Sequence, residues 1–319
     1  MKNNLYLKNL NILSIIFLLI SCTNTYTKIL NTSNCDKISF PVKPEVFIEG
    51  VFSRCEGIAF NGENKLFVAG DKSVWHVSTS GICTKIFTAS SNLGLAPSGE
   101  RDILFADFGP ANAFDSGYNR DGVVWRVTPE GHGDIMADNM GDPNFITVFK
   151  NGSFIVSDDA TDEIHYVDSD RTRSIFTQTI KHPNGMVLSK DESELYVAQI
   201  FKRINPYILD GRIWSLQLSD NVPVGEPQLL VDLGEDAAND GLALDMLGRI
   251  YVSCWNRGEI WRYDIKQDEL VLIAQYLPGV ASLAFGLGDF DNKAIYATST
   301  KTGKVWKVPV GVKGAILNK

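Results

Sequence analysis

Hydrophobic residues recur along this chain in short segments, and each group of segments contains a β-branched residue followed by an aromatic ring. After the ring come one variable residue and then an apolar one. This motif occurs six times, at Val74-Trp75, Val124-Trp125, Ile164-His165, Ile213-Trp214, Ile260-Trp261 and Val305-Trp306. The rings are separated by 50, 40, 49, 47 and 45 residues. Five of the six tryptophans lie at this one position, which indicates a structural repeat.

Each ring motif has the same neighbours. An apolar segment precedes it, at residues 66–69, 103–106, 154–157, 195–198, 250–253 and 295–298. A shorter segment comes before that one, at residues 57–60, 94–97, 145–148, 185–188, 241–244 and 282–285. A fourth run follows the ring, and no intervening segment has the 3.6-residue periodicity of a helix. Four short strands in each of six repeats predict an all-β protein, a six-bladed β-propeller.

The two ends of the chain are expected to meet in the last blade. The sixth repeat is short of strands after Val308, whereas residues 45–50 form a strand-like segment ahead of the first repeat. We predict that this N-terminal strand completes the last blade. The propeller is then expected to span residues 45–319.

The residue that precedes the innermost strand carries a side-chain oxygen in four of the six repeats. The six residues at this position are Glu56, Leu93, Asn144, Asn184, Asp240 and Ala281. Innermost strands line the central channel of a propeller, so equivalent positions lie at about the same height around it. Two carboxylates and two amides would suit Ca²⁺ or another hard divalent cation, whereas zinc more often recruits His or Cys. The alternative interpretation is that Asn184-Gly185 and Asp240-Gly241 are turn dipeptides.

Charge limits what such a protein would bind. The net charge is −8, and the first 21 residues carry two lysines and no acid, so the remainder stands at −10. Nucleic-acid binding depends on clustered Lys and Arg, so a nucleic-acid partner is not expected. Cations and small uncharged ligands are compatible with this charge, and we expect a monomer.

The N-terminus resembles an export signal. Lys2 and Lys8 precede an apolar stretch over residues 10–20, which is too short to span a bilayer. The stretch ends in Leu19-Ile20-Ser21-Cys22, similar to a bacterial lipobox. We therefore expect residues 1–21 to be a lipoprotein signal peptide and residues 22–44 a tether lipidated at Cys22. This would hold the protein on a membrane of the bacterial envelope, periplasmic or outer-surface. The alternatives are an ordinary signal peptide and an uncleaved anchor.

The other four cysteines are Cys35, Cys55, Cys83 and Cys254. Export permits disulfides, but four cysteines allow three pairings and the sequence does not choose between them. None has zinc-site spacing, and at least two are expected to be small buried residues.

The motifs at the inner positions resemble a known family. They are Glu56-Gly57, Pro183-Asn184-Gly185, and Asp240-Gly241-Leu242-Ala243 followed by Gly248-Arg249-Ile250-Tyr251-Val252. Together with the ending from Gly303-Lys304-Val305-Trp306 to Gly311-Val312-Lys313-Gly314, they are similar to the senescence-marker-protein/gluconolactonase (regucalcin-like) family. The resemblance covers roughly residues 45–315.

The resemblance implies a metal-dependent lactone hydrolase. It places Glu56, Asn184 and Asp240 on the metal, which is expected to be Ca²⁺ with Zn²⁺, Mn²⁺ or Mg²⁺ as alternatives. Asp240 would also accept and donate the proton, and Asn144 would contact the metal or its water and the substrate. The chain departs from the family where Phe145 replaces the usual Asp and where Asp142 replaces the Arg of some sugar-lactone members. The resemblance therefore does not extend to sugar-lactone specificity.

The expected reaction is attack of water on a lactone or ester carbonyl polarised by the metal, with Asp240 as the base. There is no Gly-x-Ser-x-Gly motif, so covalent catalysis is not expected. His182 is a candidate substrate contact because it lies two residues before Asn184. Two long connections, residues 108–121 and 199–210, are expected to shape the pocket, with Phe114, Tyr118, Phe201 and Tyr207 as candidate contacts. The competing functions are a non-catalytic, metal-stabilised binding propeller on the envelope and a hydrolase of aryl esters or phosphotriesters.

Overall fold

A computed structural model describes residues 38–91, 93–111 and 119–315. These residues form six antiparallel sheets of four strands and one two-stranded hairpin. They contain no helix, and so none that could cross a membrane. The predicted all-β propeller is therefore confirmed.

Strand β1 (Glu45–Ile48) comes first along the chain, and the blades then follow one another. Blade one contains β2 (Cys55–Phe60), β3 (Leu66–Gly70), β4 (Ser73–Val77) and β5 (Cys83–Thr88). Blade two contains β6 (Leu95–Ser98), β7 (Asp102–Asp107), β8 (Gly122–Val127) and β9 (Gly133–Met140). Blade three contains β10 (Pro143–Val148), β11 (Phe154–Asp158), β12 (Ile164–Val167) and β13 (Arg173–Thr177).

Blade four has an additional hairpin between its second and third strands. It contains β14 (Pro183–Leu188), β15 (Glu194–Gln199), the hairpin strands β16 (Phe201–Ile204) and β17 (Tyr207–Leu209), β18 (Arg212–Ser219) and β19 (Val222–Asp232). Blade five contains β20 (Asn239–Leu244), β21 (Ile250–Cys254), β22 (Glu259–Asp264) and β23 (Glu269–Gln275). Blade six contains β24 (Val280–Phe285), β25 (Ala294–Ser299) and β26 (Val305–Pro309).

The N-terminal strand closes the ring of blades, as the sequence predicts. Strand β1 pairs antiparallel with β26, with Val46 opposite Trp306, and so becomes the outer strand of blade six. The predicted tether, residues 22–44, overlaps the described structure in residues 38–44. There Phe40 and Val42 pack against the hydrophobic cluster between blades five and six, and the Val42 amide donates to the Ile273 carbonyl at 2.8 Å. The chain therefore joins the fold before β1. Residues 1–37, with Cys22 and Cys35, lie outside the described residues.

The hydrophobic core lies between the blades. Six clusters of buried side chains occur, one between each pair of neighbouring blades. Cys55 and Cys254 are buried in two of these clusters. These two cysteines and Cys83 are all free thiols. Burying apolar surface in this way holds each blade to the next, so the ring is stabilised around its whole circumference.

The repeated tryptophan ties the third strand of a blade to the end of the second. The indole N–H of Trp75 donates to the carbonyl of Gly70 at 2.9 Å, and that of Trp214 to Gln199 Oε1 at 2.8 Å. Trp125 makes the equivalent, longer contact with Asp107 Oδ2 at 3.3 Å. Because an indole N–H that is shielded from water needs an acceptor, the half-buried ring supplies both packing and a hydrogen bond within each of these blades.

Candidate metal and substrate site

The four oxygen-bearing residues of the inner position line one cavity of about 530 Å³. Glu56, Asn144, Asn184 and Asp240 come from the starts of β2, β10, β14 and β20, and all four are buried. The structure therefore brings together the residues that the alignment of repeats selects. We call these four residues the inner ring.

The glycines that follow inner positions allow neighbouring inner strands to approach closely. A Cβ on Gly57 would lie 2.0 Å from the carbonyl oxygen of Leu93, and one on Gly185 would lie 2.1 Å from that of Asp240. Neither glycine has a positive φ, and both lie inside strands. Asn184-Gly185 is therefore not a turn, and the turn interpretation is wrong. Glycine is required because any side chain would collide with the backbone of the next blade.

Hydroxyl groups on the second strands hold the backbone of the inner positions. Ser157 on β11 donates to the carbonyl of Asn184 at 2.8 Å. Ser253 on β21 donates to the carbonyl of Ala281, and Thr298 on β25 to that of Glu56. All three hydroxyl-bearing residues are buried. Because buried carbonyls need partners, these bonds fix the position of the backbone along the channel at the inner positions.

A second set of residues, which we call the outer ring, also lines the cavity. It consists of the residues that directly follow the second strand of each blade. The six residues at this position are Asp71, Phe108, Asp159, Ile200, Trp255 and Thr300. All except Asp71 line the cavity. The Asp71 carboxylate instead accepts from the backbone amide of Ser53 at 3.0 Å.

Asp159 is the acidic residue of this site that the sequence analysis misses. Its Oδ2 accepts hydrogen bonds from the side-chain amides of Asn144 at 2.8 Å and Asn184 at 3.4 Å. Its Oδ1, and the Oδ1 of Asn184, are buried and have no hydrogen-bond partner among the described residues. Two unpartnered oxygens, one from a carboxyl group and one from an amide, therefore lie within one cavity.

Burial raises the pKa of all three carboxyl groups in the cavity. Burial raises the pKa of Glu56 above its ordinary value, although Arg54 Nη2 lies 3.6 Å from Oε2 and opposes the change. Burial and the charge of Glu56 raise the pKa of Asp240. Burial raises the pKa of Asp159, with the charges of Asp158 and Glu56 adding to it. Buried like charges disfavour ionisation, so the site favours protons or a bound cation.

The donor set fits a hard divalent cation. It consists of carboxylate and amide oxygens, two of which have no other partner, and no His or Cys lines the cavity among the described residues. Ca²⁺ takes oxygen ligands of this kind, and its charge would offset the repulsion between the carboxylates.

A family model described as the SMP-30/gluconolactonase/LRE-like region matches residues 134–301, more than half of the chain. The chain belongs to this family. The match confirms the resemblance carried by the inner-ring motifs. It extends from the end of blade two into blade six.

Individual members of the SMP-30/gluconolactonase family are distant. A pentonolactonase from Haloferax volcanii is 25% identical over 198 residues, which is 62% of this chain and 62% of that protein. The chain thus matches less than two thirds of the length of this relative. A calcium-binding regucalcin from Agrobacterium tumefaciens has the same fold, with a TM-score of 0.70 at 17% identity over 88% of this chain and 97% of that one. A gluconolactonase from Xanthomonas campestris has a TM-score of 0.67 at 14% identity over 84% and 95%.

Two departures from the SMP-30/gluconolactonase pattern lie outside the cavity. Asp142 is buried and accepts from Asn119 Nδ2 at 3.2 Å. Phe145 lines a separate apolar cavity of about 280 Å³ formed by the inner strands. The side chains at these two positions therefore leave the inner ring intact.

A second cluster, formed by Asp158, Glu163 and His165, brings possible ligand atoms within 4.8 Å of one another. Arg120 forms two hydrogen bonds with Glu163, at 2.8 and 2.9 Å. Arg173 Nη1 lies 3.1 Å from His165 Nδ1, and because arginine can only donate, Nδ1 accepts and Nε2 carries the proton.

This protonated Nε2 faces Glu163 Oε2 at 3.4 Å and Asp158 Oδ2 at 3.9 Å. A metal would instead require a bare nitrogen there. His165 occupies the tryptophan position of blade three, but at 3.9 Å from Asp158 Oδ2 its Nε2 does not form the hydrogen bond that Trp125 makes with Asp107. The cluster is therefore better explained as an ion-pair network than as a metal site.

His182 lies behind the cavity wall. Its Nδ1 is 2.9 Å from the carbonyl oxygen of Asp159, and its ring packs edge-on against Phe201 at 6.2 Å. His182 is not among the lining residues, but it contacts Asp159 and Phe201, which are. Its role in substrate binding stays a prediction. Phe201 and Tyr207 line the cavity, as predicted for the long connection of blade four. Phe114 and Tyr118 lie outside the described residues.

Proposed function

We propose that this protein is a lactone hydrolase that depends on a divalent cation, with Ca²⁺ as the expected ion. The observation that carries the proposal is the cavity lined by three buried carboxyl groups, in which Asp159 Oδ1 and Asn184 Oδ1 have no hydrogen-bond partner among the described residues. Membership of the SMP-30/gluconolactonase family supports it. So does the matched pentonolactonase, whose name describes hydrolysis of a lactone.

Glu56, Asn184 and Asp240 would hold the cation, and Asp159 would add a carboxylate to the same donor set. When bound, a divalent cation polarises a carbonyl and stabilises the oxyanion that forms on it. The amide of Asn144 lies next to these groups and would contact the substrate. Hydrogen bonds from Asn144 and Asn184 to Asp159 fix the orientation of both amides before any ligand arrives.

Asp240 would handle the proton. In the cation-free protein its pKa is raised by burial and by the charge of Glu56, and a bound cation would favour the carboxylate form, in which it can accept a proton. As water attacks the carbonyl carbon, Asp240 accepts a proton from the water. When the ring C–O bond breaks, the same group returns the proton to the alkoxide oxygen. The product is the ring-opened hydroxy acid.

The test is metal-dependent turnover by the purified full-length chain in mild detergent. After chelation, Ca²⁺, Zn²⁺, Mn²⁺ or Mg²⁺ is restored, and acid release is followed for sugar and aliphatic lactones, an aryl ester and a phosphotriester. We expect lactone hydrolysis that disappears with chelator and in Asp240→Asn. The exposed Asp220, at the turn between β18 and β19, gives the matched control Asp220→Asn. Cation binding without turnover on any substrate would instead indicate a non-catalytic binding propeller.

We also propose that the protein is anchored to the cell envelope by lipid on Cys22. The support is the apolar stretch followed directly by the lipobox-like residues ending in Cys22. Labelling of cells with a fatty acid analogue tests this, because only the chain with Cys22 should acquire the label.

A further inference from the structure

The cavity has two chemically different parts. Among the described lining residues, the inner ring and Asp159 carry all of the carboxylates and amides. Most of the remaining wall is apolar and comes from the connections that follow second strands. The residues of this wall include Phe108, Ile200, Phe201, Tyr207, Leu209 and Trp255.

Trp255 is held rigidly in this wall. Its indole N–H donates to Thr300 Oγ1 at 2.7 Å, and the ammonium of Lys301 lies 4.0 Å from the centre of its ring. The indole N–H and the hydroxyl of Thr300 therefore already form a hydrogen bond with each other. Trp255 is also the single tryptophan outside the repeated motif, so the propeller repeat does not explain its presence.

The hairpin of blade four adds two aromatic rings to the apolar wall of the cavity. Phe201 and Tyr207 pack ring to ring at 5.6 Å, and Phe201 is backed by His182. Two adjoining aromatic rings, one of them packed against a third ring, form a largely apolar surface.

Away from the carboxylates and amides, few side chains of the described cavity wall carry a hydrogen-bonding group. Apart from the carboxylates and amides, the side-chain hydrogen-bonding groups on described lining residues belong to Arg54, Tyr207, Trp255 and Thr300. Arg54 lies against Glu56, and Trp255 and Thr300 bond to each other. A sugar lactone carries hydroxyl groups on most of its ring carbons, and each one buried without a partner weakens binding.

We propose that the substrate is a lactone with an apolar alkyl or aryl substituent rather than a polyhydroxylated sugar lactone. This inference rests on the proposed function and specifies its substrate class. The lactone carbonyl would lie at the inner ring, and the substituent would pack against Trp255 and the blade-four hairpin. A cavity of about 530 Å³ is in the range of sites that enclose a small molecule, so it has room for both parts.

The first experiment measures kcat/KM of the metal-loaded full-length chain for δ-lactones with increasing alkyl chains, beside glucono-δ-lactone. Each buried methylene should raise kcat/KM about fourfold, which corresponds to about 0.8 kcal/mol, until the cavity is full. The best alkyl lactone should exceed glucono-δ-lactone about 100-fold. A flat chain-length series, or faster hydrolysis of glucono-δ-lactone, would overturn the inference and leave the lactonase intact.

A pair of variants locates the effect. Tyr207→Ala should lower kcat/KM about tenfold for a long alkyl lactone and less than twofold for unsubstituted δ-valerolactone. Tyr276→Ala removes a tyrosine that is 84% exposed and does not line the cavity, so it should change neither value. Equal losses on both substrates in Tyr207→Ala would contradict contact with the substituent.

Binding of the products separates the inference from the proposed function. Calorimetric titration with an alkyl hydroxy acid and with gluconate requires no turnover. Tighter binding of the alkyl acid supports the apolar class even if every lactone in the panel resists hydrolysis, in which case the proposed activity fails alone. Tighter binding of gluconate would overturn the apolar class.

Discussion

The stability of the cation-free protein should fall as pH rises through the weakly acidic range. Burial raises the pKa of Glu56 from 4.5 to about 7. A carboxyl group with a raised pKa binds more protons in the folded state than in the unfolded state between these two values. The contribution of Glu56 to the free energy of unfolding therefore decreases from about pH 4.5 to about pH 7 and is then constant. Each pKa unit corresponds to about 1.4 kcal/mol, so Glu56 alone accounts for a loss of about 3 kcal/mol.

The other carboxyl groups of the cavity act in the same direction, because the pKa values of Asp159 and Asp240 are also raised. A bound divalent cation favours the ionised forms and should remove the pH dependence. At a free concentration of 100 times its Kd, the cation would add about 2.7 kcal/mol. We therefore expect the free energy of unfolding to fall with rising pH in chelator and to be independent of pH with Ca²⁺.

Urea unfolding of the full-length chain, followed by tryptophan fluorescence from pH 4.5 to 8 with chelator or with Ca²⁺, measures both effects. Glu56→Gln removes the charge, so the total loss of unfolding free energy over this pH range should be smaller by about 3 kcal/mol. Glu226→Gln on the exposed face of β19 is the matched control and should leave the slope unchanged. A cation-free protein whose stability is constant across this range, or rises with pH, would refute the linkage.

Further outcomes are expected at three places: the two acidic clusters, the inner-strand glycine and Cys22. Asp159→Asn should weaken Ca²⁺ binding about tenfold or more by calorimetry, because it removes one charge from the donor set. His165→Gln should lower stability without changing Ca²⁺ affinity, and equal affinity losses in both variants would contradict the assignment of the two clusters. Gly185→Ala should cost about 1–3 kcal/mol or more in urea unfolding, because its Cβ would lie 2.1 Å from a backbone oxygen, and a neutral result would exclude that clash. Gly152→Asn, in open space at φ 85°, should cost less. Cys22→Ser should abolish lipid labelling and release the chain from membranes, whereas retained label would exclude Cys22 as the acceptor.

The propeller and the inner ring could be predicted from sequence because both follow from one repeated motif. The spacing of the tryptophans fixes the blades, and the residue before each inner strand then falls at one height in the channel. Predicting Asp159 and Trp255 as site residues would have required the second strands to be aligned at their C-terminal ends. That alignment was possible in principle, since Asp107 and Asp158 end equivalent strands. The close approach that requires Gly185 involves a different blade, so no local pattern indicates it.

With the exception of Asp159, an outer-ring residue that would join the cation's donor set, the two rings are expected to divide cation binding from substrate binding, because they come from different strands. The inner ring is fixed by close contacts between neighbouring blades, whereas the outer ring belongs to connections that can change without disturbing those contacts. Trp255→Ala should therefore leave the Kd for Ca²⁺ within about twofold and lower kcat/KM for a long alkyl lactone about 10-fold to 100-fold. Calorimetry and the acid-release assay on the same protein measure both quantities. If the Kd for Ca²⁺ rose in parallel with the loss of activity, Trp255 would act by supporting the inner ring, and cation binding and substrate choice would not be separable in this propeller.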